Sequence, residues 1–378
     1  LVCGDFNLAA TGTVTAVDGK KVLAFGHSFL HKGNVNYFMT DASVVGFMSG
    51  PTAGTKLSNL GSIVGRVNQD RTAGISGQLG VFPGAVPIEV VVKDIAAGRA
   101  QSFHSTIAFD EELLPQLGAT IAYAAMSKVS DTAMGSTAQF AFNIDTNMAE
   151  GGSFRRENMF YSPTDVGQTA IVELLAALDL VCSNREKEAD VTGIKVDVTV
   201  EDGRQTAALL SAGPDKVKVK PGDAVNFTVT IKPYRKDKET VKIPFRVPKN
   251  QAQGALYLDV RGGGFIPVDL AALANPEAAL NEALSSTAAQ KLKKLSDLSH
   301  NNEIIIAPGS APKPLTPKEQ KIAIKNALEA QKKAVEKDKK KDGEVFLLAA
   351  QEKDSATGKA STKYIIENII HATLQVEN

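Results

Sequence analysis

The sequence has little of the residues that mark metal, redox and cofactor sites. It contains only two cysteines, Cys3 and Cys182, and five histidines among 378 residues. Neither cysteine stands at the spacing of a zinc or redox motif, and the histidines are too scattered to predict a metal-binding cluster. No Gly-x-Gly-x-x-Gly or Walker A loop occurs in the sequence. We therefore expect neither a bound metal nor a cofactor.

Net charge and long hydrophobic runs are also lacking. Lysine plus arginine and aspartate plus glutamate each number 42, so no overall electrostatic field attracts nucleic acid or an anionic membrane. The longest apolar stretch, residues 170–182, is short for a membrane span and contains Glu173 and Asp179. It predicts an amphipathic helix instead. We expect no nucleic-acid partner and no transmembrane segment.

The two cysteines leave the cellular compartment open. A disulfide between Cys3 and Cys182 would favour an oxidising compartment, whereas two free thiols would fit an intracellular protein equally well. The chain begins at Leu1 rather than at a methionine, so we expect a processed or partial chain. For that reason the lack of a signal peptide says little about compartment.

The patterns that are present divide the chain into three regions. Residues 1–188 begin with a glycine-rich part of short strand-like runs, as in a barrel, and become helical in character from Glu111. Residues 189–266 alternate apolar and polar side chains, which predicts an antiparallel, immunoglobulin-like β-sandwich. Residues 267–378 combine helical patterns with the strand-like runs "NEIIIA" and "ATLQV". We expect a mainly β protein with a mixed α/β carboxy-terminal region.

Several elements can be placed within these regions. "EELLPQLGATIAYAAMSKV" has a helical pattern and "STAQFAFNIDT" that of a strand. "SPTDVGQTAIVELLAALDLV" predicts a helix with Ser162 as N-cap, Pro163 at N1 and Asp165 at N3. "NPEAALNEAL" and the lysine-rich "TPKEQKIAIKNALEAQKKAVEKDKKKDG" predict two further helices. The lysine-rich helix has two interpretations, a solvated face or a surface for an acidic partner.

One histidine stands where functional side chains are common. In "GTVTAVDGKKVLAFGHSF", residues 12–29, two short β-rich runs flank Asp18-Gly19, a dipeptide that suits a type I′ hairpin turn. Gly26 ends the second run, so we expect His27 at a strand-to-loop exit. Two interpretations stay open: a catalytic base, or a structural histidine that hydrogen-bonds to the backbone of the next turn.

The nucleophile that such a base would serve is less evident. Ser76 lies in "AGISGQLG", whose Gly-x-Ser-Gly spacing matches the nucleophile turn of chymotrypsin-like proteases. Glycine-rich turns with a serine are common, so the match is weak. Ser49, in "GFMSGPTAG", has the same weakness. Ser28 adjoins His27 and would have difficulty reaching its ring in line.

Three aspartates are candidates to orient the histidine. Asp18 is expected to be used by the hairpin turn, and Asp70 by an ion pair with the neighbouring Arg71. Asp41 has no supporting pattern. The residues alone therefore predict a β-rich, multidomain protein and at most the general class of a hydrolase.

Two stretches near the amino terminus carry a family resemblance. "GDFNLAATGTVTAVDGKKVLAFGHSF", followed by "GSIVGRVNQDRTAGISGQLG", resembles the SpoIVB-type serine peptidases, most closely their large bacterial envelope relatives. In that family a "GTVT-x-x-D" hairpin leads to a "GH" histidine, the base of the catalytic serine, and the later segment closes the barrel. The similarity is dense over about residues 4–92. A looser similarity includes "VKPGDAVNFTVTIKPYR" and the closing "KYIIENIIHATLQV".

The resemblance implies that residues 1–188 are part of a trypsin-like β-barrel domain with some helices, and that His27 is its base. The family's serine lies in a "GMSGSP" motif, upstream of the hairpin in the envelope relatives, and this chain has no such motif. Ser76 aligns with a position that other members do not fill with serine. We expect the nucleophile on a missing amino-terminal segment, so that this chain alone is inactive.

These implications extend to partners and location. The expected protein is the C-terminal part of an extracytoplasmic, periplasmic or cell-envelope, serine-peptidase-like protein. Its expected partner is the amino-terminal fragment or another envelope protein. Assembly into a homo-oligomer is a further alternative. The alternative is a non-catalytic scaffold or binding protein that keeps the fold. The catalytic reading predicts that His27 is solvent-accessible and that Gly12, Gly26, Gly74 and Gly77 gather near a cleft.

Overall fold

A computed structural model describes residues 1–50, 54–130, 134–264, 285–309 and 357–377 of the chain. Strands dominate in these ranges, which confirms the prediction of a mainly β protein. The strands form four sheets and fall into two compact units. With the gaps just named, the units consist of Leu1–Thr206 with Asn275–Asn301 and of Ala207–Ala274 with Asn302–Asn378.

The first unit contains two of the sheets and the described α-helices. Its strands are β1 (Val2–Gly4), β2 (Val14–Asp18), β3 (Lys21–Ala24), β4 (Gly33–Ser49), β5 (Gly54–Arg71), β6 (Gly74–Leu79), β7 (Ala85–Asp94), β8 (Arg99–Ala108), β9 (Ser136–Thr146), β10 (Ser153–Ser162) and β11 (Val191–Asp202). Its α-helices are α1 (Leu114–Val129), α2 (Val166–Ala170), α3 (Val172–Cys182) and α4 (Ala288–Asp297). The strand predicted from "STAQFAFNIDT" is β9, and the helix predicted from "EELLPQLGATIAYAAMSKV" is α1, which begins at Leu114.

A six-stranded sheet with the order β1-β8-β7-β11-β9-β10 supplies the main core of this unit. Its two central strands bury alternate apolar side chains, such as Val90 of β7 and Val196 of β11. Helix α1 contacts β7, β8 and α3, and Leu114 of α1 and Leu178 of α3 are fully buried. One face of the sheet is thus covered by helices, as expected for an α+β layer.

Strand β11 moves the boundary between the units away from the predicted position. The apolar–polar alternation predicts a sandwich over residues 189–266, but β11 pairs in parallel with β7 and antiparallel with β9. Period-two alternation predicts a strand without telling which sheet it joins, because the partners are distant in sequence. The boundary therefore lies at Thr206/Ala207 rather than at 188/189, and residues 285–301 join the first unit rather than a separate third region.

The helix predicted to begin at Ser162 begins later and in two pieces. Ser162 ends β10, and its hydroxyl accepts hydrogen bonds from the amides of Thr164 and Asp165. Asp165 is the N-cap of α2, since its carboxylate accepts from the amide of Gln168 at 3.2 Å. Ile171 is both the C-cap of α2 and the N-cap of α3. Ser162 and Asp165 are both good N-cap residues. Because Ser162 pairs with Ser136 of β9 and so belongs to a strand, the helix begins after Asp165.

The second unit contains two sheets that share one core. Its strands are β12 (Thr206–Pro214), β13 (Lys218–Val219), β14 (Ala224–Pro233), β15 (Glu239–Arg246), β16 (Gly254–Gly262), β17 (Glu303–Pro308), β18 (Gly358–Ser361), β19 (Ile365–Ile366) and β20 (Ile369–Val376). The orders are β15-β14-β12-β19 and β13-β20-β16-β17-β18. The predicted alternation is confirmed, because Val225, Phe227, Val229 and Ile231 of β14 are all buried. Side chains from both sheets form a single hydrophobic cluster.

Cys3 and Cys182 are free thiols rather than a disulfide, and burial raises the pKa of Cys182 to about 12. None of the described helices is long and apolar enough to cross a membrane. The helix predicted from "NPEAALNEAL" and the lysine-rich helix at residues 316–343 lie outside the described residues.

Candidate functional site

The predicted site lies on the second sheet of the first unit, which we call the curled sheet. Its order is β2-β3-β6-β5-β4, so β2 and β4 are its edges in the described part of the chain. The long β4–β5 pair contains several register shifts, which bend strands. Val14 of β2 and Met39 of β4 line the same cavity. The two edges of the sheet therefore curl toward each other.

His27 follows the hairpin at the edge of this sheet. Asp18 pairs with Lys21, so the two loop residues are Gly19 and Lys20 rather than the predicted Asp18-Gly19. Gly19 has φ +55°, a conformation that glycine adopts without strain. Strand β3 ends at Ala24, and His27 lies three residues later in the loop that leads to β4. The predicted strand-to-loop exit is confirmed.

The loop between β3 and β4 has an unusual backbone. Phe25 and His31 have φ values of +75° and +59°, and the glycines at 26 and 33 have +74° and +77°. A positive φ in a residue other than glycine costs about 1–2 kcal/mol. Such strain persists only where surrounding contacts impose it, and it is concentrated at functional sites.

Asp70 supplies the contacts that hold this loop. Its side chain is fully buried, and its two carboxylate oxygens each accept a backbone hydrogen bond at 2.7 Å, from Phe29 and from Leu30. Burial alone would raise the pKa of Asp70, but these amides, with those of Lys32 and His31, hold it below its ordinary value. The predicted ion pair with Arg71 is wrong.

Arg71 is committed to other partners. Its guanidinium donates to the side-chain oxygens of Gln69 and Asn34, at 2.9 and 2.8 Å. Asp70 is therefore a neighbour of Arg71 in sequence but not its partner. The aspartate serves the loop of His27 instead, a role that adjacency in the sequence could not reveal.

His27 itself is exposed, as the catalytic reading predicts. Its Nδ1 lies 2.6 Å from the carbonyl oxygen of Ser28. A carbonyl oxygen can only accept a hydrogen bond, so Nδ1 carries the proton in the neutral ring and Nε2 is left as the acceptor. Within the described residues Nε2 makes no hydrogen bond. This tautomer is the one that a general base acting through Nε2 requires.

A groove of about 680 Å³ runs beside His27. Its walls come from residues 7–13, Phe25 and the start of β5. Two polar contacts cross it: the hydroxyls of Thr11 and Ser58 are hydrogen-bonded, and Lys56 Nζ donates to Thr13 Oγ1. The groove thus has hydroxyl groups along it and a single lysine.

The structure does not bring the predicted serines into this groove. Ser76 lies on β6, where its hydroxyl donates to Asn68 Oδ1 at 3.2 Å, and Ser49 ends β4. Neither lines the groove of His27. Ser28 meets the histidine only through its carbonyl oxygen. Ser58 does line the groove, but its hydroxyl is bonded to Thr11, and "KLSNLG" offered no motif that could have identified it.

The candidate acids are also elsewhere. Asp18 and Asp41 are exposed, on β2 and β4, and neither lines the groove. Among the described residues no group of three or more histidine, cysteine, aspartate or glutamate side chains could hold a metal ion. No carboxylate of the described residues hydrogen-bonds to His27.

Of the four glycines predicted to gather near one cleft, Gly12 lines the groove of His27, whereas Gly26, Gly74 and Gly77 do not. A side chain at Gly12 would overlap the ring of Phe25, with 1.8 Å between Cβ and the nearest ring carbon. A Cβ on Gly74 would lie 2.9 Å from the carbonyl oxygen of Ala24 and 3.5 Å from the amide nitrogen of Gly26. Gly77 lines the cavity inside the curled sheet. Close backbone approach accounts for Gly74 and Gly77, the ring of Phe25 for Gly12, and the positive φ for Gly26.

That cavity has a volume of about 160 Å³ and a mainly apolar lining. It is bounded by Val22, Ala24, Met39, Val67 and Ile75, among others, all of which belong to the curled sheet. It shares the wall formed by residues 9–12, Phe25 and Leu60 with the groove of His27.

Comparison with known proteins adds no further constraint. No protein-family model, curated protein or solved structure matches the chain.

Proposed function

We propose that the chain is the C-terminal part of an extracytoplasmic serine-peptidase-like protein, in which His27 is the general base for a serine supplied by a segment outside these 378 residues. In this proposal the first unit, which runs to Thr206, includes part of a trypsin-like barrel domain, and the sheets of the second unit, which begins at Ala207, form an immunoglobulin-like sandwich. The partner is the amino-terminal fragment of the same protein or another envelope protein.

The observation that carries the proposal is the way His27 is held. Its loop has two residues other than glycine at positive φ, and the buried Asp70 fixes the four residues that follow Ser28. The ring then presents an unprotonated Nε2 at an open groove. A structural histidine would make the same hydrogen bond from Nδ1 to a backbone carbonyl, whereas only a base requires a free Nε2 at an open groove.

The chemistry follows the sequence of steps known for a serine with a histidine base. Nε2 removes the hydroxyl proton as the serine oxygen attacks the substrate carbonyl carbon, and it later delivers that proton to the departing amine. Backbone amides beside the serine would stabilise the oxyanion. In this chain the carbonyl oxygen of Ser28 takes the place of a carboxylate at Nδ1. A neutral acceptor stabilises the imidazolium less than an aspartate does.

A serine-directed fluorophosphonate probe on the full-length gene product tests the proposal. We expect labelling of the full-length protein, loss of labelling in His27→Ala, and none for residues 1–378 alone. His104→Ala is the matched control, because His104 is also exposed but lies on β8, outside the groove. No label on the full-length protein, or label unaffected by His27→Ala, would overturn the catalytic role.

A second candidate function, a non-catalytic envelope scaffold or binding protein, is favoured by one observation. The partner of Nδ1 is a main-chain carbonyl, and no carboxylate among the described residues completes a triad. If this candidate is right, the full-length protein will purify with a stoichiometric partner and will remain unlabelled by the probe.

A further inference from the structure

The cavity inside the curled sheet has the properties of a binding site for one apolar group. We propose that it binds a group of isobutyl to phenyl size and, resting on the proposed function, that it selects peptide substrates with such a side chain beside the cleaved bond. The three supporting observations are its lining, its size and its position.

The lining of the cavity disfavours a charged ligand. The strand residues that line the cavity are mostly apolar, such as Val22, Val67 and Ile75. Asp70 is the one carboxylate among the lining residues, and both of its oxygens already accept backbone amides. A lysine or arginine side chain would lose its hydration there without gaining a free partner. An apolar group loses nothing and gains contacts.

The size sets the upper limit of the group. A cavity of about 150 Å³ lined by aliphatic and aromatic side chains in another protein stays dry and binds benzene. The present cavity, at about 160 Å³, belongs to the same class. Leucine and phenylalanine side chains suit this volume, and an alanine side chain leaves most of it unfilled.

The position connects the cavity to His27. The ring of Phe25 lies 5.6 Å from the imidazole, centroid to centroid, and lines both the cavity and the groove. Gly12 and Leu60 belong to the same shared wall. The backbone of a peptide whose side chain enters the cavity therefore lies along this wall, beside the base.

Titration of residues 1–378 with toluene, followed by NMR of methyl-labelled valine and isoleucine, tests the cavity without any catalysis. We expect saturable shifts of the Val22, Val67 and Ile75 methyl groups. Benzylammonium has nearly the same shape with a charge, and we expect it to bind at least about tenfold more weakly. Absence of saturable toluene binding, or equal binding of benzylammonium, would overturn the proposal.

A pair of variants on β3 locates the binding. Ala24 lines the cavity, so Ala24→Leu fills part of it and should weaken toluene binding at least about tenfold. Leu23→Phe is the matched control, because Leu23 is 54% exposed on the opposite face of the same strand, and toluene binding should be unchanged. If Ala24→Leu does not fold, Val22→Ala replaces it: the larger cavity should favour naphthalene over toluene, and no change in this preference would overturn the assignment.

Cleavage by the full-length protein separates this proposal from the one on which it rests. With peptides that differ only at the residue before the cleaved bond, leucine and phenylalanine should exceed lysine and alanine at least about tenfold, and Ala24→Leu should remove this preference. Toluene binding with no probe labelling would retain the cavity and overturn the peptidase. Probe labelling without toluene binding, or cleavage with no apolar preference, would retain the peptidase and overturn the selecting role.

Discussion

The curled sheet and the two sheets of the second unit both have strands with large apolar side chains. These side chains are buried in the second unit, but several of them are exposed on the curled sheet. In the second unit, Phe227, Phe245 and Leu258 are between 0% and 2% exposed, because each sheet covers the inner face of the other. On the curled sheet, Val45 and Phe47 of β4 are 63% and 73% exposed. Both regions have large apolar side chains on their strands, but those of the outer part of β4 have no covering layer among the described residues.

This difference shows that apolar residues in a strand do not by themselves predict burial. A period of two prepares one face of a strand for burial, but burial needs a second layer. The outer part of the β4–β5 pair has no such layer in the described residues, and it exposes Val44, Val45, Phe47, Met48 and Leu57. Patches of this kind mark interaction sites. This is the part of the chain on which a further segment, as proposed for the peptidase, would pack.

The largest expected effect contrasts the two regions directly. Phe227 is fully buried, and its ring meets that of Phe245 at 6.1 Å in an edge-on arrangement. We expect Phe227→Ala to lower the free energy of unfolding of the second unit by about 3–5 kcal/mol. Hydrogen exchange of the β14 amides measures this unit separately from the first.

Phe47→Ala is the counterpart on the curled sheet. Because Phe47 is mostly exposed, its removal from the 378-residue chain should change the free energy of unfolding by less than about 0.5 kcal/mol, measured at the β5 amides. A loss comparable with that of Phe227→Ala would mean that the outer β4–β5 pair is covered in solution, and the comparison would fail.

An intermediate effect concerns Asp70, the best buried polar group of the curled sheet. We expect Asp70→Asn to destabilise the curled sheet by about 2 kcal/mol, because the amide replaces a charged acceptor of two backbone hydrogen bonds. Asp41→Asn, an exposed change on β4, should have little effect. Hydrogen exchange of the β6 amides, at positions that pair with β5, provides the measurement.

The same aspartate predicts a pH dependence. Its folded-state pKa is lowered, so the stability it contributes is fully present above the unfolded value of about 3.9 and is lost as pH falls through the folded value. The wild type should therefore lose stability at the curled sheet below about pH 4, and Asp70→Asn should lose less. An identical acid profile in both proteins would show that Asp70 is not the group responsible.

The sequence predicts well those features that depend only on residues close together in the chain. Strand β9 matches the predicted run from Ser136 to Thr146, and the alternating positions of β14 are all buried. The exit of His27 from β3 was predictable for the same reason, since Gly26 marks the end of a short β-rich run. Local patterns determine these features.

The remaining features depend on pairing between distant residues. Asp70 bonds to amides about 40 positions away, and the wall opposite His27 comes from the start of β5, including Ser58. The assignment of β11 to the first unit depends on β7, more than a hundred residues earlier. Alternation and motif spacing contain no information on these partners, so the sequence placed Asp70 with Arg71 and β11 with the sandwich.

An effect smaller than that of Asp70→Asn, and opposite in sign, is expected from Tyr37→Phe on the curled sheet. Tyr37 is 4% exposed, and its hydroxyl is buried without a hydrogen-bond partner among the described residues. We expect Tyr37→Phe to stabilise the curled sheet by about 1 kcal/mol, because it removes an unsatisfied polar group and keeps the ring.

Burial raises the pKa of Tyr37 to about 12. The wild type should then lose stability as pH rises from about 10 toward 12, since the unfolded phenol ionises first, and the variant should lose less. Hydrogen exchange at neutral pH and urea unfolding across the alkaline range measure the two effects, with Tyr257→Phe on β16 as the control. If Tyr37→Phe is instead destabilising, the Tyr37 hydroxyl has a hydrogen-bond partner in solution, and the prediction is wrong.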